Sequence, residues 1–174
     1  MCDYSIRNAR VEDASDILRL AKDLAHHDHV PPEIMTATEQ DIARDMSDWF
    51  HSIVLEHEAA GSATKEIVGF ALWSYGYIPV VGRNLNLASL YVCPHHRGRG
   101  LGYSLIQSVA KIGYNKGCLR IRLLANESNK KAHEFYTRIK FTNSTRTEGW
   151  ELLHIYGPDF ENLALQQPKI PQDF

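Results

Sequence analysis

His95-His96-Arg97-Gly98-Arg99-Gly100-Leu101-Gly102 is the stretch on which the reading of this chain turns. The apolar run Leu85 to Val92 leads into it, and a helical pattern opens after it at Tyr103-Ser104-Leu105-Ile106. A strand, a loop with three alternating glycines and then a helix N-terminus make a cradle for phosphate. Glycine lets the backbone approach a ligand and take φ > 0. The free N–H groups of a first helical turn, with the helix dipole, supply a positive field. Arg97 and Arg99 add formal charge. The plain alternative is a glycine-rich turn entering a helix; the interleaved arginines and the immediate helix favour phosphate.

Two familiar nucleotide loops are excluded. A Walker A loop needs Gly-Lys-Ser/Thr, and no Lys-Ser/Thr follows these glycines. A dinucleotide fingerprint needs G-x-G-x-x-G and an acidic residue closing the next strand. Here the glycines read G-x-G-x-G, and the next strand, Leu119 to Leu124, runs into Ala125.

Working outward, strands and helices alternate. Tyr4 to Arg7 reads as a short strand. Ala14, Ile17, Leu18, Ala21, Leu24 and Ala25 form a helical stripe over Val11 to Ala25, with Asp13 as N-cap and Asp16 at the third capping-box position. Pro31-Pro32 interrupts, and Thr38 caps a second helix to about Phe50, with Asp41 three residues on. Ser52 to Glu58 and Glu66 to Tyr75 form a hairpin, followed by a strand Asn86 to Val92. A helix Leu101 to Lys116 ends at Gly117. A strand Leu119 to Leu124, a helix Asn129 to Ile139 and a late strand Trp150 to Ile155 complete the pattern. The order β-α-α-β-β-β-α-β-α-β predicts a single-domain α/β fold. Its central sheet is mixed and mostly antiparallel, flanked by helices, with a β-α-β unit around the glycine loop. The domain is expected over residues 1–157, and 158–174 reads as a polar tail, loosely docked.

Bulk properties narrow the classes. At 174 residues one domain suffices, and 44% hydrophobic against 23% charged residues is the balance of a globular protein. A net charge of −2 argues against bulk nucleic-acid binding, which needs a basic face. Cys2, Cys93 and Cys118 are odd in number and lack CxxC spacing, which suits reduced thiols in the cytoplasm. No apolar run of ~18 residues predicts a membrane span. Met1-Cys2-Asp3-Tyr4 has no basic start or apolar h-region, so no secretory signal is expected. His26-His27-Asp28-His29 has no second ligand cluster beside it, so no metal is expected.

Arg97-x-x-Gly100-x-Gly102 matches the Q/R-x-x-G-x-G/A signature of the GNAT acetyltransferase superfamily. The chain from about Tyr4 to Ile155 resembles its spermidine/spermine (diamine) and thialysine acetyltransferase branch. The resemblance is carried by Ile6-Arg7, Ala14-Ser15-Asp16-Ile17-Leu18-Arg19-Leu20, Ile67-Val68-Gly69-Phe70-Ala71, Arg97-Gly98, Lys116-Gly117-Cys118, Phe135-Tyr136 and Glu148-Gly149-Trp150. It implies the GNAT fold and acetyl-CoA as co-substrate, with no metal. Direct attack by a primary amine of a small molecule follows: a polyamine, a diamine or a thialysine-like amino acid. Arg97, Gly98, Arg99, Gly100, Leu101 and Gly102 would hold the pyrophosphate. The main chain of Leu90, Tyr91 and Val92 and the side chain of Asn129 would contact the pantetheine arm. Tyr136 would be the general acid toward the CoA sulfur, although spacing alone favours a core aromatic on an apolar stripe. His27, Asp28 and Glu148 would line the amine site. Members of the branch commonly form homodimers.

One departure matters. The branch carries a Glu-Asp pair shortly before the loop, which binds the cationic amine and helps deprotonate it; here those positions are Ala88 and Ser89. Neither can carry charge or act as base. Three readings remain open: an N-acetyltransferase for a small amine, the loss of the acid pair shifting weight toward less charged amines; a CoA-binding protein with little catalysis; and a protein acetyltransferase.

Overall fold

The computed structural model describes residues 3–61, 64–149 and 152–165. The chain falls into two compact units, residues 1–129 and 130–174, and each is described by itself. The first is built on five strands in spatial order: β1 (Asp3–Asn8), β2 (His51–Glu58), β3 (Lys65–Ile78), β4 (Gly82–Val92) and β5 (Arg120–Leu123). Pairs from β1 to β4 are antiparallel, and β4 with β5 is parallel. Parallel neighbours need a crossover, and helix α3 (Leu101–Asn115) supplies it. Helices α1 (Ala14–His27) and α2 (Glu39–Asp45) connect β1 to β2. This is the mixed α/β sheet flanked by helices that the sequence predicts.

Helical spacing explains the core. Ala14, Ile17 and Leu20 of α1 recur every three residues and pack with Ile42, Met46, Val54, Ile67, Phe70 and Tyr91. Each buried Ile or Leu contributes about 1.5–3 kcal/mol. On α3, Leu105, Ile106 and Val109 are buried. Gly113 of α3 lies so close to Leu85 of β4 that a Cβ there would overlap it. Leu85 and its neighbours in alternation therefore face α3, and the helix sits tight against the sheet.

The helix starts differ in detail. Thr38 and Asp41 form the expected capping box: Asp41 N donates to Thr38 Oγ1 at 3.2 Å and Thr38 N to Asp41 Oδ2 at 2.9 Å. Helix α2 nevertheless stops at Asp45, because Met46 is extended and Ser47 takes φ 78°. Asp13 does not cap α1 with its side chain. It accepts from Arg10 N at 2.7 Å and binds Arg7 through both oxygens, at 2.6 and 2.9 Å. Arg7 also reaches Glu56 Oε1 at 2.6 Å. Strands β3 and β4 run longer than the sequence suggests, meeting at a turn where Gly82 takes φ 97°.

The second unit holds α4 (Lys130–Arg138), α5 (Ser144–Glu148) and α6 (Gly157–Leu165). One expectation changes here. Trp150 lies outside the described residues, and 152–156 form no strand. Leu152, Leu153 and Ile155 are 66%, 85% and 49% exposed, and a short apolar run without a ladder or buried face does not hold as a strand. The first part of the expected polar tail is helix α6; residues 166–174 lie outside the described residues. Among the described residues no helix is long and apolar enough to cross a membrane.

Candidate active site

The glycine loop follows β4 through a short 3₁₀ turn, Pro94–His96. Gly98 and Gly100 take φ 78° and 77°, and a Cβ at either would meet nothing within 4 Å. Left-handed φ, not crowding by protein atoms, requires glycine at both positions. Gly100 is the N-cap of α3, and its carbonyl accepts from Ser104 N at 3.0 Å. Among the described residues no amide from Gly98 to Tyr103 donates to a protein acceptor. Six amides at a helix N-terminus with Arg99 among them fit an anionic group such as a pyrophosphate.

Arg97 works at the base of this loop. Its Nε donates to Val92 O at 2.7 Å, and its guanidinium lies 5.2 Å from the Tyr91 ring centroid. Loop and strand end are thereby tied together. Burial raises the Tyr91 phenol above its usual pKa, with Asp23 in the same direction and Arg97 opposing.

Strand β4 also offers main-chain groups. Its parallel ladder to β5 runs from Asn84↔Arg120 to Leu87↔Leu123 and stops. Beyond that point, among the described residues, Leu90, Tyr91 and Val92 pair only with β3, opposite Ala71, Phe70 and Gly69. Their edge on the β5 side is a half-open strand, able to accept an extended amide-bearing chain. A bulge precedes it: Leu72 faces Ser89 while Trp73 faces Leu87, which leaves Ala88 as the extra, exposed residue.

Beside the strand end lies a cavity of about 580 Å³ lined by Asp23, His26, His27, His29, Tyr91, Pro94 and Arg97. Three of these, His27, Tyr91 and Arg97, are expected from the sequence. Asp23, His26 and His29 are not, although Asp23, His26 and His27 stand at i, i+3, i+4 on α1, a spacing that shares one helix face. His29 is placed by φ 57° just after the helix. Asp28 does not line the cavity; it caps α1, and its Oδ1 accepts from Asn129 Nδ2 at 3.0 Å while its carbonyl accepts from Asn126 at 3.2 Å. The Asp28–Asn129 bond joins residues 101 apart in sequence. Among the described residues no three His, Cys, Asp or Glu side chains are grouped to hold a metal.

A second cluster escaped the sequence reading. Tyr4 Oη lies 2.9 Å from His96 Nδ1, and the His57 and His96 rings are 4.7 Å apart. Burial and the neighbouring His57 hold His96 below the usual histidine pKa.

The other expected site residues belong to the second unit. Tyr136 on α4 is half-buried, with its ring 5.2 Å from Phe135 and 5.5 Å from Phe141. Glu148 ends α5, exposed, before Gly149 at φ 70°.

Residues 15–141 match the model of the acetyltransferase (GNAT) family. The mouse thialysine N-epsilon-acetyltransferase is 33% identical over 171 residues, covering 94% of this chain and 99% of that protein. A human spermidine/spermine N(1)-acetyltransferase-like protein 1 is 26% identical over 168 residues, 94% of this chain and 24% of its own length. An aminoglycoside N-acetyltransferase solved with CoA superposes at TM-score 0.65 with 19% identity, over 90% of this chain and 95% of that one. The Vibrio cholerae integron cassette protein reaches TM-score 0.70 at 20% identity, over 94% and 98%. The glycine loop, the sheet around it and these matches together lead to one conclusion: the chain belongs to the acetyltransferase (GNAT) family and is an N-acetyltransferase.

Proposed function

We propose that this chain transfers the acetyl group of acetyl-CoA to a primary amine of a small molecule in a ternary complex. The observation that carries the reading is the set of unpartnered amides from Gly98 to Tyr103 at the start of α3, beside the β4 edge that β5 leaves open. Thialysine N-epsilon-acetyltransferase relatives support an amine acceptor.

When bound, acetyl-CoA supplies an acetyl group activated as a thioester. Arg97, Gly98, Arg99, Gly100, Leu101 and Gly102 hold its pyrophosphate, and the main chain of Leu90, Tyr91 and Val92 orients its extended arm. Holding both substrates together supplies several kcal/mol of the barrier reduction. Tyr136 Oη provides the proton for the departing sulfur, a role carried here by the family resemblance. Asn129 keeps its place for the arm while bonded to Asp28. With no acid at Ala88 or Ser89, the amine proton leaves toward the cavity lined by Asp23, His26, His27 and His29. Glu148 belongs to the mouth of the amine site in the same reading. A cytoplasmic location and a homodimer complete it, supported by the free thiols of Cys93 and Cys118 and by the exposed Leu152, Leu153 and Ile155.

The test is calorimetry with acetyl-CoA followed by CoA release across spermidine, spermine, thialysine, lysine and arylalkylamines. No binding at millimolar acetyl-CoA sinks the reading. Binding with silence across the amines turns it into the CoA-binding protein with little catalysis, which the exposed, uncharged Ala88 would then explain.

A further inference from the structure

The half of β4 before its open edge carries polar side chains that acyl transfer leaves unused. Asn84 stands opposite Gly76 of β3 and Arg120 of β5, and Asn86 opposite Ser74 and Arg122. Strand side chains alternate and register partners share a face, so Ser74, Asn84, Asn86, Arg120 and Arg122 form one row. Leu85, between the asparagines, faces Gly113 of α3. The row is therefore on the other side of the sheet. Along β3 the same face continues from Ser74 to Phe70, which packs with Tyr91 and α1.

Two independent features of this row point to a ligand. Asn84 is 1% exposed, and neither its Nδ2 nor its Oδ1 has a hydrogen-bond partner. The place a Cβ would occupy on Gly76 lies 2.8 Å from Asn84 Oδ1 and 2.7 Å from Asn86 Nδ2, so the two amides converge where β3 has no side chain. Buried amides are almost always satisfied by a partner. Arg120 and Arg122, in turn, are exposed, and among the described residues neither guanidinium has an ion pair or a side-chain hydrogen bond.

We infer that Arg120 and Arg122, with Asn86 and Asn84, are a carboxylate subsite that selects the acceptor, so that the amine acetylated by this chain carries an anionic end. The inference rests on the amine N-acetyltransferase reading. A guanidinium grips a carboxylate through paired N–H···O bonds, and an asparagine N–H adds a neutral donor. Two guanidiniums repel a polycation, and Ala88-Ser89 next along the strand offers it no compensating acid. Four residues separate Asn86 from Leu90, roughly 13 Å of strand, a span that an arginine side chain and a lysine-length amine bridge together. The row thus explains the missing acid pair: this site holds the acceptor by its acid end.

The test compares amines matched except for the carboxylate: lysine with cadaverine, and thialysine with bis(2-aminoethyl) sulfide. Loss of a charge-assisted bond predicts about a tenfold or larger advantage in kcat/KM for the carboxylate partner of each pair. Arg120→Gln and Arg122→Gln should each raise KM for that partner about tenfold, with kcat held within about twofold and the diamine unaffected. Equal kcat/KM within pairs, or unchanged KM in the double variant, overturns the inference while amine acetylation stands. If no amine is turned over, the underlying reading fails instead. Calorimetry on the CoA-loaded protein then decides the subsite: preference for lysine over cadaverine supports it, and no preference overturns it.

Discussion

At the scale of single residues, the proposed roles of Gly100 and Tyr136 are unlike and should fail differently. Gly100 sits at φ 77° with open space where a Cβ would go. Valine there is strained by backbone conformation, not by collision with protein atoms, and must pull the loop out of shape. Gly100→Val should weaken acetyl-CoA binding at least about tenfold, since several amide contacts move together; unchanged affinity by calorimetry would refute the loop assignment. Tyr136→Phe keeps the ring among Phe135 and Phe141 and removes only the hydroxyl. Turnover should fall about a hundredfold while acetyl-CoA affinity holds; equal turnover would end its role as acid. The loop was legible because its chemistry is contiguous in sequence. The bond from Asp28 to Asn129 was not, because nothing local announces a contact across 101 positions.

At the scale of elements, α3 is the piece most sensitive to a small change. Its Gly113 leaves no room for a methyl against Leu85. Gly113→Ala gains helix propensity but overpacks the helix–sheet interface, a net loss of about 1–3 kcal/mol. Urea unfolding would show it, and an unchanged or higher midpoint would mean that Leu85 relaxes freely. Helices and central strands were readable from their periods, since burial on one face imposes 3.6 or 2. Asp13 shows where reading stopped: an acid before a helix looks like a cap, yet Arg7 and Arg10 N claim it. The run ending at Ile155 shows the converse, apolar residues with no visible partner strand. Periodicity tells which face wants burial and not what arrives to bury it. Asp23 and His26, beside His27 on the cavity face of α1, escape for a related reason, as polar residues at helical spacing read as solvated.

For the whole first unit, acid should loosen the fold in two stages. His96 is held low, first by burial and then by His57, with Arg99 and His95 acting alike and Glu66 opposing. A base with a depressed folded pKa contributes stability above its unfolded value, about 6.5, and loses it as pH falls toward the folded value. Arg7 holds the Asp13 carboxyl below its usual range, against burial. For Glu56 burial pushes upward, but Arg7, Ser5 and Lys65 together win and the net shift is down. These acids stabilise above about pH 4 and lose that contribution as pH falls through their folded values. Tm should therefore drop below about pH 6.5 and again below about 4; a flat Tm between 7.5 and 5.5 would contradict the first stage. Arg7→Met removes the guanidinium shared by Asp13 and Glu56, leaving Asp13 with Arg10 N and Glu56 with Ser5 and Lys65, and should cost about 2 kcal/mol, less than breaking a fully buried pair.

The strand edge that β5 abandons after Leu87 has a further consequence. What an open edge offers is peptide groups, and every amino acid except proline brings the same ones. Side-chain scanning from Ala88 to Val92 would understate that segment's importance, since alanine preserves its N–H and C=O groups. In the proposed reading, the donor half of the catalyst therefore tolerates drift in the very strand assigned to face the acceptor. A lineage could exchange acids for Ala88 and Ser89, trying new amines, without first relearning how to hold its acyl donor.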